Sequence, residues 1–393
     1  MRPLPRGVAE SCLLAALVFA GAAGGAAPDP ARPASVSQRR FGPGVCGPVD
    51  PSYISGATAT GGQMFFLSTT EISQSARIMS ASFNSELLLW AGGEGAKTYS
   101  VQIDPSVKRA SFSGSFDNTG GTLSVVSPDG VGVQQRENVE DTLLNCGRVV
   151  TIESPAAGLW QVAAAPSGRF WLVVHAKTEL SIVSTEFVAP GGRPGHEGLF
   201  KIQGQPIAGR PARLRVALSS AAKNPAFHFV SIDAQPLQTF ALPPESDDEF
   251  IGLVTLPDQP FRVMVSGVDE TGSRFQRMFP ALFHAEVVEV VPSNRDDTIA
   301  AGETTPVTFT IRNLGPAVRL RLTASGARGK LQPVEPSTAQ IDSEAELTVT
   351  VLVTVPADAA PGSDASVLLT AAGDGASTPM NYAQKRLTVR ARQ

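Results

Sequence analysis

At 393 residues the chain is too long for one sandwich module and fits two to four domains of about 100 residues each. With 42% apolar and 17% charged residues it can build cores, so disorder is not the default, and its 37 glycines and 31 prolines supply the frequent turns that short strands need. A formal net charge of −4 with no basic run excludes nucleic acid as a partner, because phosphate binding needs a basic patch.

Residues 1–27 read as a signal peptide. Arg2 and Arg6 supply the positive start, residues 13–20 an apolar stretch, and residues 21–27 the small side chains of a cleavage region. The alternative is a membrane anchor, but the stretch is too short and too rich in Gly and Ala to cross about 30 Å of hydrocarbon. No later segment approaches 18 consecutive apolar residues, so no transmembrane segment is expected in the mature chain. Cys12 precedes the apolar stretch instead of following it, which argues against a lipid anchor. A secreted or periplasmic location follows. The mature chain then holds two cysteines, Cys46 and Cys146. An oxidising compartment allows them to pair, and two idle thiols are the other reading.

Residues 28–52, rich in Pro, Arg, Ser and Gly, predict a flexible leader. Residues 57–63 read as a turn and 64–67 as a short buried strand. Ser68 and Glu71 frame a capping box, and Ile72, Ala76, Met79, Phe83 and Leu87 predict one amphipathic helix over about 69–90, with Trp90 at its end. From Lys97 the period changes to two, beginning with Tyr99, Val101 and Ile103, and strands recur every 8–12 residues. The segment 190–195, Pro-Gly-Gly-Arg-Pro-Gly, reads as a linker. Beyond it, strands are expected around 212–218, 227–233, 250–256, 261–267 and 274–287. A further set begins with the alternating run 307–311. No fixed short repeat is present, which excludes a solenoid.

The fold class expected is mainly β: tandem antiparallel β-sandwiches with one N-terminal amphipathic helix. The modules fall at 53–92 (strand plus helix), 93–190, 196–290 and 291–393.

The search for chemistry returns little. The sequence has no Gly-x-Ser-x-Gly elbow, Walker loop, Cys-x-x-Cys or His-Glu-x-x-His, and His196-Glu197 lacks the second histidine. The four histidines, at 175, 196, 228 and 284, share no ligand spacing. The acidic runs at 245–249 and 296–297 lack the alternation of a calcium loop and read as solvated tips. No catalytic, cofactor-binding or metal-binding residue is assigned, and an enzyme is not expected. Trp160 and Trp171 would make a sugar-stacking platform if exposed. Each follows a turn within an apolar strand, however, which favours burial.

The order Ala-Thr-Gly-Gly-Gln-Met-Phe-Phe-Leu (59–67), capped helix, Ile103-Asp-Pro-Ser-Val-Lys108, Ser127-Pro-Asp-Gly130, Pro155-Ala-Ala-Gly-Leu-Trp160 and Phe275-Gln-Arg277 resembles the N-terminal region of hemicentins and the related von Willebrand factor A domain-containing proteins. The resemblance covers roughly residues 53–285. It implies the end of an A domain at 53–92, a galactose-binding-like jelly roll at 93–190 and an Ig-like module at 196–290. Residues 291–393 look more like the Ig-like modules of bacterial surface proteins. The family's A domain holds a cation on an Asp-x-Ser-x-Ser loop, whereas Asp50-Pro-Ser52-Tyr-Ile54 lacks the last serine and most of the A domain is missing. Metal-dependent adhesion is therefore not carried over. The function expected is a non-catalytic secreted or surface scaffold contacting envelope or extracellular proteins or glycans. The alternative is a carbohydrate-binding accessory module of a secreted hydrolase system.

Overall fold

The computed structural model describes residues 17–18, 46, 50–68, 70–133, 137–192, 195–293, 297–326, 330–375 and 379–391. All but two residues of the expected signal peptide, and all of the leader except 46 and 50–52, lie outside the described residues. The fold is mainly β, built of antiparallel sheets in sandwich-like modules with two short α-helices. The chain divides into two compact units. One comprises 1–185, 216–251 and 260–283, the other 186–215, 252–259 and 284–393.

In the first unit, helix α1 (Pro51–Thr60) starts where the Asp50 carboxylate accepts the Ser52 N–H at 2.8 Å, with proline in its first turn. This replaces the turn expected at 57–63. The helix stops at Gly61, whose φ of +69° favours glycine, and an added Cβ would meet Pro280 at 2.9 Å. The two-residue strand β1 (Phe65–Phe66) follows. A 3₁₀ turn (Ile72–Gln74) then leads into α2 (Ser75–Ser82). The Glu71 carboxylate does reach back to the Ser68 N–H at 2.9 Å, but the helix expected to run to 90 ends at Ser82. Leu87–Trp90 instead lie in a strand, β2 (Glu86–Glu94). Residues 87–91 are all buried, so the run has no period of two to separate it from a helix.

Seven more strands complete the first sandwich: β3 (Lys97–Ile103), β4 (Arg109–Phe116), β5 (Thr122–Val126), β6 (Val139–Leu144), β7 (Gly147–Glu153), β8 (Gly158–Ala165) and β9 (Arg169–Lys177). They form a five-stranded sheet, β2-β9-β4-β7-β6, and a three-stranded sheet, β3-β8-β5. In β3, Tyr99, Val101 and Ile103 are buried while Thr98 and Ser100 are exposed. In register with them, Val162 faces Tyr99 and Trp160 faces Val101. The central strands of the five-stranded sheet are buried on both faces. Along β4, Ala110, Phe112 and Phe116 alternate with Ser111, Ser113 and Ser115, all of them buried. The serine face lies under the N-terminal segment. The Ser115 hydroxyl donates to the Met64 carbonyl, Gln63 Nε2 donates to Ser115 Oγ at 3.3 Å, and the Trp90 indole donates to Gly62 O at 3.0 Å.

Beyond the first sandwich, β10 (Ile182–Gly191), β11 (Gly198–Lys201), β12 (Ala212–Leu218) and β15 (Glu249–Val254) form a sheet ordered β11-β10-β12-β15. The expected linker at 190–195 is thus partly strand: Pro190 and Gly191 pair with Leu199 and Gly198. Strands β13 (Lys223–Ser231), β14 (Pro236–Phe240), β16 (Phe261–Val268) and β17 (Arg274–Met278) form a sheet ordered β14-β13-β16-β17. The strand expected over 274–287 ends at Met278.

The second unit contains the C-terminal sandwich. One sheet is β18-β20-β24-β22, from Val288–Pro292, Thr304–Asn313, Glu346–Thr354 and Lys330–Leu331. The other is β23-β21-β25-β26, from Thr338–Ile341, Val318–Gly326, Val367–Gly373 and Pro379–Lys385. A parallel pair, β19 (Thr298–Ala300) with β27 (Thr388–Arg390), completes it. Buried Asn381 serves as a polar rivet. Its amide nitrogen donates to Val288 O at 2.8 Å and Gln205 O at 3.2 Å, and its oxygen accepts from Gln205 N at 3.0 Å.

Candidate functional site

Cys46 and Cys146 are joined by a disulfide with Cα atoms 6.1 Å apart. Cys46 N–H also donates to Asp117 O at 2.9 Å, which fixes residue 46 against the end of β4. Trp160 and Trp171 are only 3% and 5% exposed. Trp160 packs on Phe112, with ring centroids 5.5 Å apart, and its indole donates to Ala156 O at 2.8 Å. Trp171 packs on Phe66 at 5.7 Å. Neither ring offers a face to solvent, so the sugar-stacking platform is corrected to two core anchors.

The histidines do not converge. His175 is held near pKa 4 by burial within β9. His228 sits between Thr239 Oγ1 and Ser266 Oγ at 2.9 and 2.8 Å, and burial also lowers its pKa. His284 pairs with Glu286 at 2.9 Å in the other unit. Among the described residues, no three of His, Cys, Asp and Glu stand close enough to hold a metal ion. Asp50, in the segment that lacks the last serine of the family's cation loop, is the cap of α1.

Two buried arginines have roles that the sequence did not show, because their partners are distant in the chain. Arg277 lies 2.7 Å from Asp104. It also donates to Leu180 O at 2.7 Å, Gln276 O at 2.8 Å and Thr178 Oγ1 at 2.8 Å. The Arg262 guanidinium stands 4.3 Å over the Trp90 ring and donates to Pro280 O at 3.1 Å and to Thr58 O, near the carbonyl end of α1. Both fasten β16 and β17 to the first sandwich. Their contacts, to backbone carbonyls, Asp104 and the Trp90 ring, are structural.

The open chemistry lies elsewhere. Met79, Phe83, Asn84 and Ser85, at the end of α2, border a groove of about 600 Å³ with Arg109 and Lys177. Phe83 is 69% exposed. Lys177 faces Arg109 across β9 and β4, and Arg109 faces Glu153 across β4 and β7. Arg109 Nη2 lies 2.5 Å from Glu153, so that carboxylate neutralises one of the two cations and leaves Lys177 facing the groove. An aromatic face beside an ammonium suits an apolar ligand carrying an acid.

Comparisons with known proteins match parts of the chain. Residues 288–391 match the VWA7 Ig-like domain family, which corrects the expectation of a bacterial surface module there. A 200-residue stretch is 24% identical to hemicentin-1 of Mus musculus. The match covers 48% of this chain but 3% of the relative, so the chain spans a small part of that protein's length. Among solved structures, the Bacillus licheniformis lipase BlEst2 in propeptide form is 12% identical over 51% of this chain and 43% of its own, with a TM-score of 0.26. The native alpha-2-macroglobulin of E. coli is 11% identical over 78% of this chain and 23% of its own, also at 0.26. Likenesses this distant carry no argument.

Proposed function

We propose that the chain is an exported, non-catalytic scaffold or adhesion protein of the extracellular kind that hemicentin-1 exemplifies. The observation that carries the binding role is the groove at Phe83, a largely exposed ring with Lys177 beside it on a braced sheet. The likeness to hemicentin-1 and to the VWA7 Ig-like domain supports the scaffold reading. The division of the first sandwich into five and three strands is compatible with a galactose-binding-like jelly roll. The reading takes adhesion to be metal-independent, which the place of the Asp50 carboxylate at the cap of α1 supports. The carbohydrate-module alternative is weaker, since Trp160 and Trp171 are buried.

The test is to immobilise the chain and present envelope or matrix fractions, with and without EDTA, to wild type and to Phe83→Ser/Lys177→Glu. Proteins retained by wild type in EDTA and lost by the variant are the expected result. Equal retention by both, or retention abolished by EDTA, would overturn the reading.

A further inference from the structure

The second unit carries a separate cleft of about 300 Å³. Its lining is largely apolar and includes Phe187 and Val188 of β10, Ile202 and Pro206. Leu253 of β15 stands at the rim, 65% exposed. Arg210 and Arg213 also line it, and neither has a carboxylate partner among the described residues. Two further cations adjoin β10: Lys201 and Arg215 both reach Glu186, at 3.6 and 2.7 Å. Glu186 thus occupies two of the four cations and leaves Arg210 and Arg213 to the cleft. In a chain of net charge −4 this is a local concentration of the opposite sign.

We propose that this cleft docks an acidic peptide segment of another protein. One or two apolar side chains would seat against the apolar lining beside Leu253, with flanking Asp or Glu carboxylates on the guanidinium forks of Arg210 and Arg213. The volume, at the low end for a ligand pocket, suits a side chain or two and no large ligand. The apolar lining separates this occupant from a plain polyanion, which would engage the cations alone. It also argues against the acidic loop at 245–249 of a second copy. That loop has the charges, but the apolar residues flanking it, Leu242 and Phe250, are buried and offer no anchor.

The probe is the fluorescein-labelled peptide Glu-Asp-Leu-Phe-Glu-Asp-Glu, titrated with the full chain and followed by anisotropy at low and high salt. Binding that weakens with salt, and weakens at least about tenfold in Arg210→Glu/Arg213→Glu, is expected. Leu253→Asp, on an exposed side chain, should weaken it as well, and Phe83→Ser should leave it unchanged, which separates this cleft from the groove proposed above. Melting curves establish that each variant is folded. Undiminished binding in a folded double arginine variant would overturn the proposal. So would equal affinity for a peptide with Ser in place of Leu and Phe, which would mark a bare polyanion site. Sedimentation showing self-association through the cleft that the peptide does not compete away would replace the partner with a second copy.

Discussion

Arg277 and Asp104 meet at 2.7 Å although 173 positions separate them in the chain, and each side chain is only 1% exposed. Burial pushes the guanidinium pKa down and the Asp104 carboxylate opposes that shift. Neither group would be tolerated there alone. Arg277→Met or Asp104→Asn should each cost about 3–5 kcal/mol, because each leaves the other charge buried without its partner. The double variant Arg277→Met/Asp104→Leu should cost less than the sum of the two. Urea denaturation midpoints at constant slope test this, and additive losses would show that the pair is not coupled.

His175 makes a pH prediction. Burial holds its pKa near 4, below the 6.5 of an unfolded histidine. Between those values the unfolded chain binds a proton that the folded chain refuses. Stability should therefore fall as pH drops from about 6.5 to about 4 and level off below that. His228 is shifted in the same direction by burial and adds to the slope. Glu86 acts oppositely: burial raises its pKa against the pull of Arg277, so it loses stability as pH rises through its window. Melting temperatures of wild type and His175→Asn across this range should diverge, the variant showing the flatter curve.

Trp160 fills the centre of the first sandwich, with its ring on Phe112 and its indole on Ala156 O. Trp160→Ala should destabilise by about 3–5 kcal/mol. Trp160→Phe should lose less, because it retains the ring contact and gives up the hydrogen bond. A Trp160→Ala protein as stable as wild type would mean that the ring is not part of the core.

The disulfide should be detectable directly. Digestion of unreduced protein should yield one cross-linked peptide containing Cys46 and Cys146. Cys46→Ser/Cys146→Ser should lower stability by up to about 4.7 kcal/mol, the chain-entropy value for a loop of about 100 residues. Two free thiols at these positions in the native protein would refute the bridge.

The strands of the first sandwich were legible wherever one face is buried and the other wet, as at Tyr99, Val101 and Ile103. Legibility failed where that contrast disappears. Residues 87–91 are covered on both faces, and their leucines fit a helical spacing as well as a strand. Helix α1, Pro-Ser-Tyr-Ile-Ser-Gly-Ala-Thr-Ala-Thr, is poor in helix formers. It is held by its Asp50 cap and by Arg262, Pro280 and Leu282, all more than 200 residues on. The candidate sites were the least legible part. Lys177 and Arg109, or Arg215 and Glu186, are brought together by the fold, and nothing in their local sequence marks them as neighbours.

The disulfide also has a mechanical consequence. Tension applied to the chain before Cys46 passes through sulfur to Cys146, at the turn between β6 and β7, and bypasses the loop of 100 residues between them. That loop holds α1, α2 and the strands from β1 to β6, none of which can be peeled from that end while the bond is intact. At about 3.3–3.6 Å per extended residue, roughly 330–360 Å of contour is withheld from extension. Reduction would release that slack, so the redox state of one bond sets the distance this protein can span under load.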